Sequence, residues 1–289
     1  MSDFIHSNAT YHVDIYVDCI NGSDTNSGLA KLAPVKTLKT ALDIMNQNAD
    51  GVYIHLISPG EYTLSYPVIS GAMIHFLYEA SNITMYWLDT KDKGWSKCFY
   101  NCYINMHGHS DGTSVFYIRG SKLAYLEAGK LTISNITLKS DPNGAFGVVG
   151  GAIQSSNNIY KTHLYLGISQ GVFASDTFET ESQYAVSAIH AYNSSTLTFR
   201  SSIKFNNINN NPTITNLLSL TGCTVYCIVA PTFTNTDITK MPVYTNTCQI
   251  YGTEKRVKGW LSTCRVNYTT INGTYCSSIT NYPVKEETK

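Results

Sequence analysis

Three carboxylates fall within one polar run, "ASDTFETESQY", as Asp176, Glu179 and Glu181. Hydrolysis of a glycosidic bond requires two carboxyl groups flanking it, one as general acid and the other as base or nucleophile. On extended backbone Glu179 and Glu181 project to the same side, so the run is a candidate catalytic cluster. Its other reading is a solvated acidic loop. A lyase would also need a cation, or calcium, to neutralise the uronate carboxylate next to the proton it removes. No lysine or arginine stands beside this run in the sequence. If the chain is an enzyme, polysaccharide lyase and glycoside hydrolase are the two classes that fit.

A second set of residues suits binding rather than cleavage. Gln154, His190 and Ser219 occupy matching places after Ile153, Ile189 and Leu218, with Tyr192 close by. Stacked on one outer face, they would offer hydrogen-bonding groups and a ring to a sugar, and Tyr160, Tyr165 and Tyr184 would extend that platform. Tyrosine is also simply a good residue for a half-exposed strand. A third set is "CFYNCYINMHGH", in which Cys98, Cys102, His107 and His109 place four possible zinc ligands close together. Their spacing is not that of a zinc finger, and a turn with buried thiols accounts for it equally. Cys223 and Cys227 repeat the spacing, with Cys227 in phase with inward positions. No other cofactor is expected.

These residues need elements to position them. Leu38, Ala41, Leu42 and Met45 recur at helical spacing behind Thr37, a suitable N-cap, and Pro34. After that helix the chain reads as short alternating strands divided by Asn, Gly and Ser clusters. With Leu123, Ile153, Ile189 and Leu218 aligned, three apolar strands follow in each unit: for example Ile189, "LTF" (197–199) and "IKF" (203–205). For the Ile153 unit they are "LYL" (164–166) and "VF" (172–173). Such a unit cannot bury its apolar face alone, so it must stack on the next. The expected fold is all-β: a right-handed parallel β-helix, with an N-terminal cap containing one short helix that covers the first coil. A β-sandwich of similar strands is the alternative. The division expected is 1–51 for strand, loop and capping helix, 52–242 for the coils, and 243–289 for an irregular C-terminal region.

Bulk composition narrows the function. Lysine plus arginine equals aspartate plus glutamate at 20 each in 289 residues, which gives no footprint for nucleic acid or a membrane surface. Only 14% of residues are charged and 21 are tyrosine, a profile of strands and turns. No apolar stretch is long enough to span a bilayer, and the N-terminus lacks the pattern of a secretory signal. Eight cysteines in a chain of this length are expected to be reduced thiols.

The loop "DCINGSDTNSG" (18–28) is acidic, yet position 29 is Leu where a calcium loop of EF-hand type needs Glu. It is expected to turn the chain, with Asn21-Gly22 and Ser27-Gly28 supplying left-handed positions and Asp24 bonding local backbone donors. Residues 15–46, from "IYVDCINGSDTNSG" to the "PVKT" lead-in of the helix, followed by "VYIHLISPGEYTL" (52–64), resemble a known pattern. They are similar to the N-terminal cap and first coil of the pectate-lyase-like right-handed β-helix superfamily, in the version found in bacteriophage tail-spike and tail-fibre proteins. That resemblance implies a phage or prophage virion protein, assembled in the host cytoplasm, that recognises host surface polysaccharide as a homotrimer among other virion proteins. It equally accommodates a depolymerase or a purely structural virion component, because the family hosts all of these. His107-x-His109 is also similar to the iron sites of trimeric phage fibres.

Overall fold

The computed structural model describes residues 12–48, 51–64, 68–88, 95–120, 123–142, 144–179, 187–207, 216–234, 243–253, 257 and 265–280. The chain is a right-handed parallel β-helix of three sheets. Each coil contributes one short strand to sheet 1, then one to sheet 2, then one to sheet 3. In the first full coil these are Gly51–Leu56, Gly60–Leu64 and Ile69–Ser70.

The alternation in the sequence produces the interior directly. Alternate side chains point inward, and stacking the coils lines them up. Sheet 1 contributes the row Val52, Ile74, Ile104, Leu131, Ile153, Gly171, Leu197, Val225 and Ile250. Sheet 2 contributes Tyr62, Met85, Phe116, Leu138, Tyr160, Phe178, Phe205 and Phe233. The last four stack ring on ring at 4.5, 4.9 and 5.2 Å between centroids. Burial of these rows is the main stabilising term, at about 1.5–3 kcal/mol per large side chain.

One corner recurs with little change. Between sheet 3 and sheet 1, a left-handed residue turns every coil: Gly71, Asn101, Ala128, Gly150, Ile168, Asn193, Gly222 and Thr247. The N–H of each from 71 to 222 donates to a carbonyl of the next coil, from Gly71 to Tyr100 O at 3.0 Å through Gly222 to Asn246 O at 2.9 Å. A small buried residue usually follows the left-handed position. Cys102, Ser169, Ser195, Cys223 and Cys248 each turn a sulfur or hydroxyl onto backbone carbonyls of the corner. Gly129 and Gly151 fill the same place, where a Cβ would strike the carbonyl oxygen of the preceding coil.

The cap behaves as its periodicity predicts. Leu38, Ala41, Leu42 and Met45 on the helix Leu38–Asn48 are buried, packing with the strands His12–Val17 and Gly60–Leu64. Thr37 Oγ1 accepts the Thr40 N–H at 3.2 Å as the N-cap. The loop 18–28 consumes its own acids. Asp24 accepts from Lys36 N (3.0 Å), Thr37 N (2.9 Å) and the Thr37 hydroxyl (3.0 Å), tying the loop to the helix start. Asp18 accepts from Ile20 N, Asn21 N and the Ser58 hydroxyl. Burial opposes the Asp18 charge, but these donors outweigh it and hold the carboxyl below its ordinary range. The turning role stands, with one correction: Gly28 is left-handed, whereas Gly22 is needed because a Cβ there would strike Val35 O and Asp18 O.

Two further expectations change. Neither Ile153 nor Leu123 aligns with Ile189 and Leu218: Leu123 is one residue out of phase, Ala124 standing in that row. Ile153 belongs to sheet 1, in register with Leu131 and Gly171, and the residue that aligns with Ile189 is Leu164. The coils also continue past 242. Val243–Asn246 and Gln249–Gly252 stack in register on Leu218–Thr221 and Thr224–Cys227. The strand Arg265–Ile271 then pairs with both, running straight across the corner from sheet 3 to sheet 1. It closes the solenoid by turning back into an antiparallel hairpin with Thr274–Thr280.

Candidate functional site

The slip of Ile153 separates the expected binding face. Gln154 points outward from sheet 1, between Thr132 and Val172. His190 points outward from sheet 3, between Tyr165 and Ser219. Tyr160 is no surface residue at all: it is fully buried in the sheet 2 ring stack, and its hydroxyl donates to Ser155 Oγ at 2.6 Å. In the segment "NIYK" the outward residues are Ile159 and Lys161. A one-residue shift in phase exchanges the two faces of a strand.

Tyr165, His190 and Tyr192 do come together. They lie on the outer face of sheet 3, in the strands His163–Gly167 and Ile189–Tyr192. The Tyr165 ring stacks on His190 at 5.4 Å and tilts against Tyr192 at 4.9 Å, while His190 and Tyr192 are 6.0 Å apart. Tyr192 leans back one coil over Gly167, where it fills the space of the missing side chain. Along the same outer row stand Tyr125, Gly147, Tyr165, His190, Ser219 and Tyr244. Gly147 has no side chain in this row, and its place is closed by Tyr125 Cβ and Leu123 Cδ1, 3.1 and 3.2 Å from where a Cβ would stand. Lys97 begins the row, paired with Glu127 at 2.6 Å and set over Tyr100 at 4.6 Å.

Electrostatics make this face neutral and hydrogen-bonding. Burial lowers the pKa of His190, and burial with its neighbour His190 lowers that of His163, so both rings favour the uncharged form. Burial, then the hydrogen bond with Tyr192, pushes Tyr165 up to about 12, so its phenol stays protonated. The connections from sheet 2 to sheet 3 lead into the strands of this face and vary in length. Thr162 alone precedes His163–Gly167, whereas residues 180–188 precede Ile189–Tyr192. Variable loops beside a rigid sheet are where binding residues accumulate. Glu181 and Tyr184 lie in this second connection, outside the described residues.

The remaining acids do not form a catalytic pair. Asp176 is fully buried at the corner between sheets 1 and 2. Its Oδ1 accepts from the Ser155 hydroxyl (2.7 Å) and Asn158 N (3.0 Å), and its Oδ2 from Ala174 N (2.9 Å). Burial nevertheless pushes its pKa up to about 6, the hydrogen bonds offsetting only part of the desolvation. Glu179 points outward and pairs with Lys161 of the preceding coil at 3.5 Å, a cation distant in sequence and adjacent in space. A buried brace and an ion-paired surface carboxylate do not flank a common cleft.

The Cys/His set does not converge either. Cys98 and Cys102 are buried, with sulfurs directed at the carbonyls of Tyr125 and of Ile69 and Tyr100. His107 faces out from sheet 1 beside Ser134, and His109 sits 3.0 Å from Asp111 in the turn beyond. Among the described residues no three His, Cys, Asp or Glu gather as metal ligands. Cys227 is a core thiol, as its phase predicts, and Cys19, Cys98, Cys102, Cys223 and Cys248 carry free thiols.

The sequence reading missed Tyr125, Gly147 and Gly167, whose part appears only once the coils are stacked. It also missed a cluster on the N-terminal part of sheet 1. There His55 bridges Asp14 (2.9 Å) and Glu79 (2.5 Å), Glu79 pairs with Lys31 (3.0 Å), and Tyr16 stacks on the imidazole at 4.6 Å. Histidines at outward phase in "VYIHL" and "MIHFLY" were the available signal. This cluster bonds the cap to the first coils. No protein-family model, curated protein or solved structure matches the chain.

Proposed function

We propose that this chain is a phage or prophage virion protein of tail-spike type that recognises a host surface polysaccharide through the outer face of sheet 3. One observation carries the recognition: Tyr165, His190 and Tyr192 form a continuous ring cluster on this face. Sugar rings pack their C–H faces on aromatic rings, and their hydroxyls bond to neutral imidazole and phenol. The virion assignment rests on the likeness of residues 15–46 and 52–64 to the cap of phage β-helix proteins. That likeness also supports a homotrimer with other virion proteins as neighbours. Recognition without cleavage is the reading because Asp176 is interior and Glu179 is already paired.

The test is retention of the purified chain on a panel of capsular and pectic polysaccharides, with reducing ends and unsaturated-uronate absorbance followed in parallel. At least one polymer should be retained without new ends, and Tyr165→Ala and Tyr192→Ala should each abolish most of the retention. Retention that ignores both substitutions would sink the assignment of the site. Release of cleavage products would replace recognition by depolymerisation.

A further inference from the structure

We propose that Arg119 and Lys139, held over the rings of Tyr86 and Tyr117 on the outer face of sheet 2, form a binding site for a uronate of an acidic polysaccharide. This surface is separate from the sheet 3 cluster, and the inference does not rest on it. The guanidinium carbon of Arg119 lies 4.9 Å from the Tyr86 ring centre and 5.6 Å from that of Tyr117. Lys139 Nζ lies 5.2 Å from the Tyr117 ring centre, and the two rings are 5.4 Å apart. Register explains the assembly: Tyr86, Tyr117 and Lys139 occupy one outer row, and Arg119 stands beside it.

The charges on this patch are arranged unevenly. Among the described residues neither Arg119 nor Lys139 has a carboxylate within ion-pair distance, unlike Lys97 on sheet 3 and Lys161, the next residue of this same outer row, which pairs with Glu179. The two acids nearby are engaged with the tyrosines instead. The Tyr86 hydroxyl donates to Glu61 at 3.0 Å, and the Tyr117 hydroxyl to Asp141 at 2.9 Å. The second Asp141 oxygen accepts the Gly120 N–H at 2.9 Å. Two cations therefore face solvent over rings that hold them, flanked by two fixed acceptors.

A ligand that satisfies this pattern carries one carboxylate for the cations and hydroxyls for Glu61 and Asp141. A uronate residue has both. A DNA backbone has no hydroxyl donors to offer Glu61 and Asp141, and its bases find the ring faces already occupied by cations. Spacing points the same way. Equivalent residues on successive coils are about 4.8 Å apart, close to the length of one pyranose along an extended glycan. An extended acidic peptide advances about 3.3 Å per residue, so neither its successive nor its alternate side chains keep step with the coils.

The experiment is affinity electrophoresis through polygalacturonate, through its methyl ester, and through single-stranded DNA, at low and at raised salt. The wild type should be retarded by polygalacturonate and much less by the ester, with the effect shrinking as salt rises. Arg119→Gln and Lys139→Gln should each weaken retardation roughly tenfold, the usual scale for one charge-assisted contact. Both side chains point outward, and a thermal melt of each variant confirms that the fold is kept. Absence of retardation, equal retardation by the ester, or no change in either variant overturns the proposal. So does preferential retardation by DNA that the same substitutions remove. Loss of the polygalacturonate effect in Tyr165→Ala but not in Arg119→Gln moves the binding to sheet 3 and overturns it as well.

Discussion

Tyr192 lies across Gly167, and the end of its ring fills the space that a methyl group at 167 would occupy. The glycine is thus what allows Tyr192 to reach back one coil and meet Tyr165 at 4.9 Å. The obstructing atoms belong to the far end of one side chain, so the backbone need not move if they are displaced.

Gly167→Ala should therefore keep the fold and break the ring cluster. We expect a melting temperature close to wild type and glycan affinity lowered roughly tenfold, the worth of one aromatic contact at the upper end of its range. Titration calorimetry against a retained polysaccharide checks it. Unchanged affinity would show that Tyr192 does not contribute from this position.

Tyr160 should prove a core residue. Tyr160→Phe keeps the ring stack and loses one buried hydrogen bond to Ser155, a cost of about 1 kcal/mol. Tyr160→Ala opens a cavity between Leu138 and Phe178 and should cost about 3–5 kcal/mol. Urea unfolding measures both, and glycan retention by Tyr160→Phe should equal that of the wild type.

Asp176 makes stability depend on pH in an unusual direction. Its folded pKa of about 6 lies above its ordinary 3.8, so the fold favours the protonated form. That contribution is complete below pH about 4 and is lost as the pH rises through about 6, a change on the order of 3 kcal/mol. Asp18 and Asp24, held below their ordinary range, act in the opposite sense, so a matched pair of proteins is required. Wild type should lose stability relative to Asp176→Asn between about pH 4 and pH 7. A gain over that interval would mean that the hydrogen-bond donors around the carboxylate outweigh its burial.

Ile168 is a β-branched residue at a left-handed position, φ 52°, with its side chain largely exposed. Its N–H reaches the Tyr192 carbonyl at 3.4 Å, against 2.9–3.1 Å for the other bonds of that corner ladder. Ile168→Gly relieves the backbone strain and sacrifices little buried surface, so it should stabilise the protein by about 1 kcal/mol. A higher urea midpoint with an unchanged slope is the expected result.

Particular residues show what was legible beforehand. Leu38, Ala41, Leu42 and Met45 declare the capping helix because helical period is a local property, readable over a few turns. Ile189 and Leu218 align correctly, and the strands after them stay in step, Leu197 with Val225 and Phe205 with Phe233, because similar turns separate them. The Ile153 alignment slipped by one strand because all three sheets use the same short alternating triplets. Only the left-handed turn at Gly150 and the one-residue turn at Thr162 distinguish their order.

The sequence by itself determined the class of fold: apolar residues at alternate positions in short runs, too brief to be buried alone, must wind and stack. Tertiary structure decided which side each residue faces and which residues become neighbours. A strand of three residues carries no mark of its phase, so Tyr160 and Ile159 are interchangeable until the coils are assembled. Neighbours across coils are set by turn lengths rather than by nearness in sequence. That is why Lys161 meets Glu179, Tyr165 meets Tyr192, and Arg119 comes to rest over Tyr86 only in the folded chain.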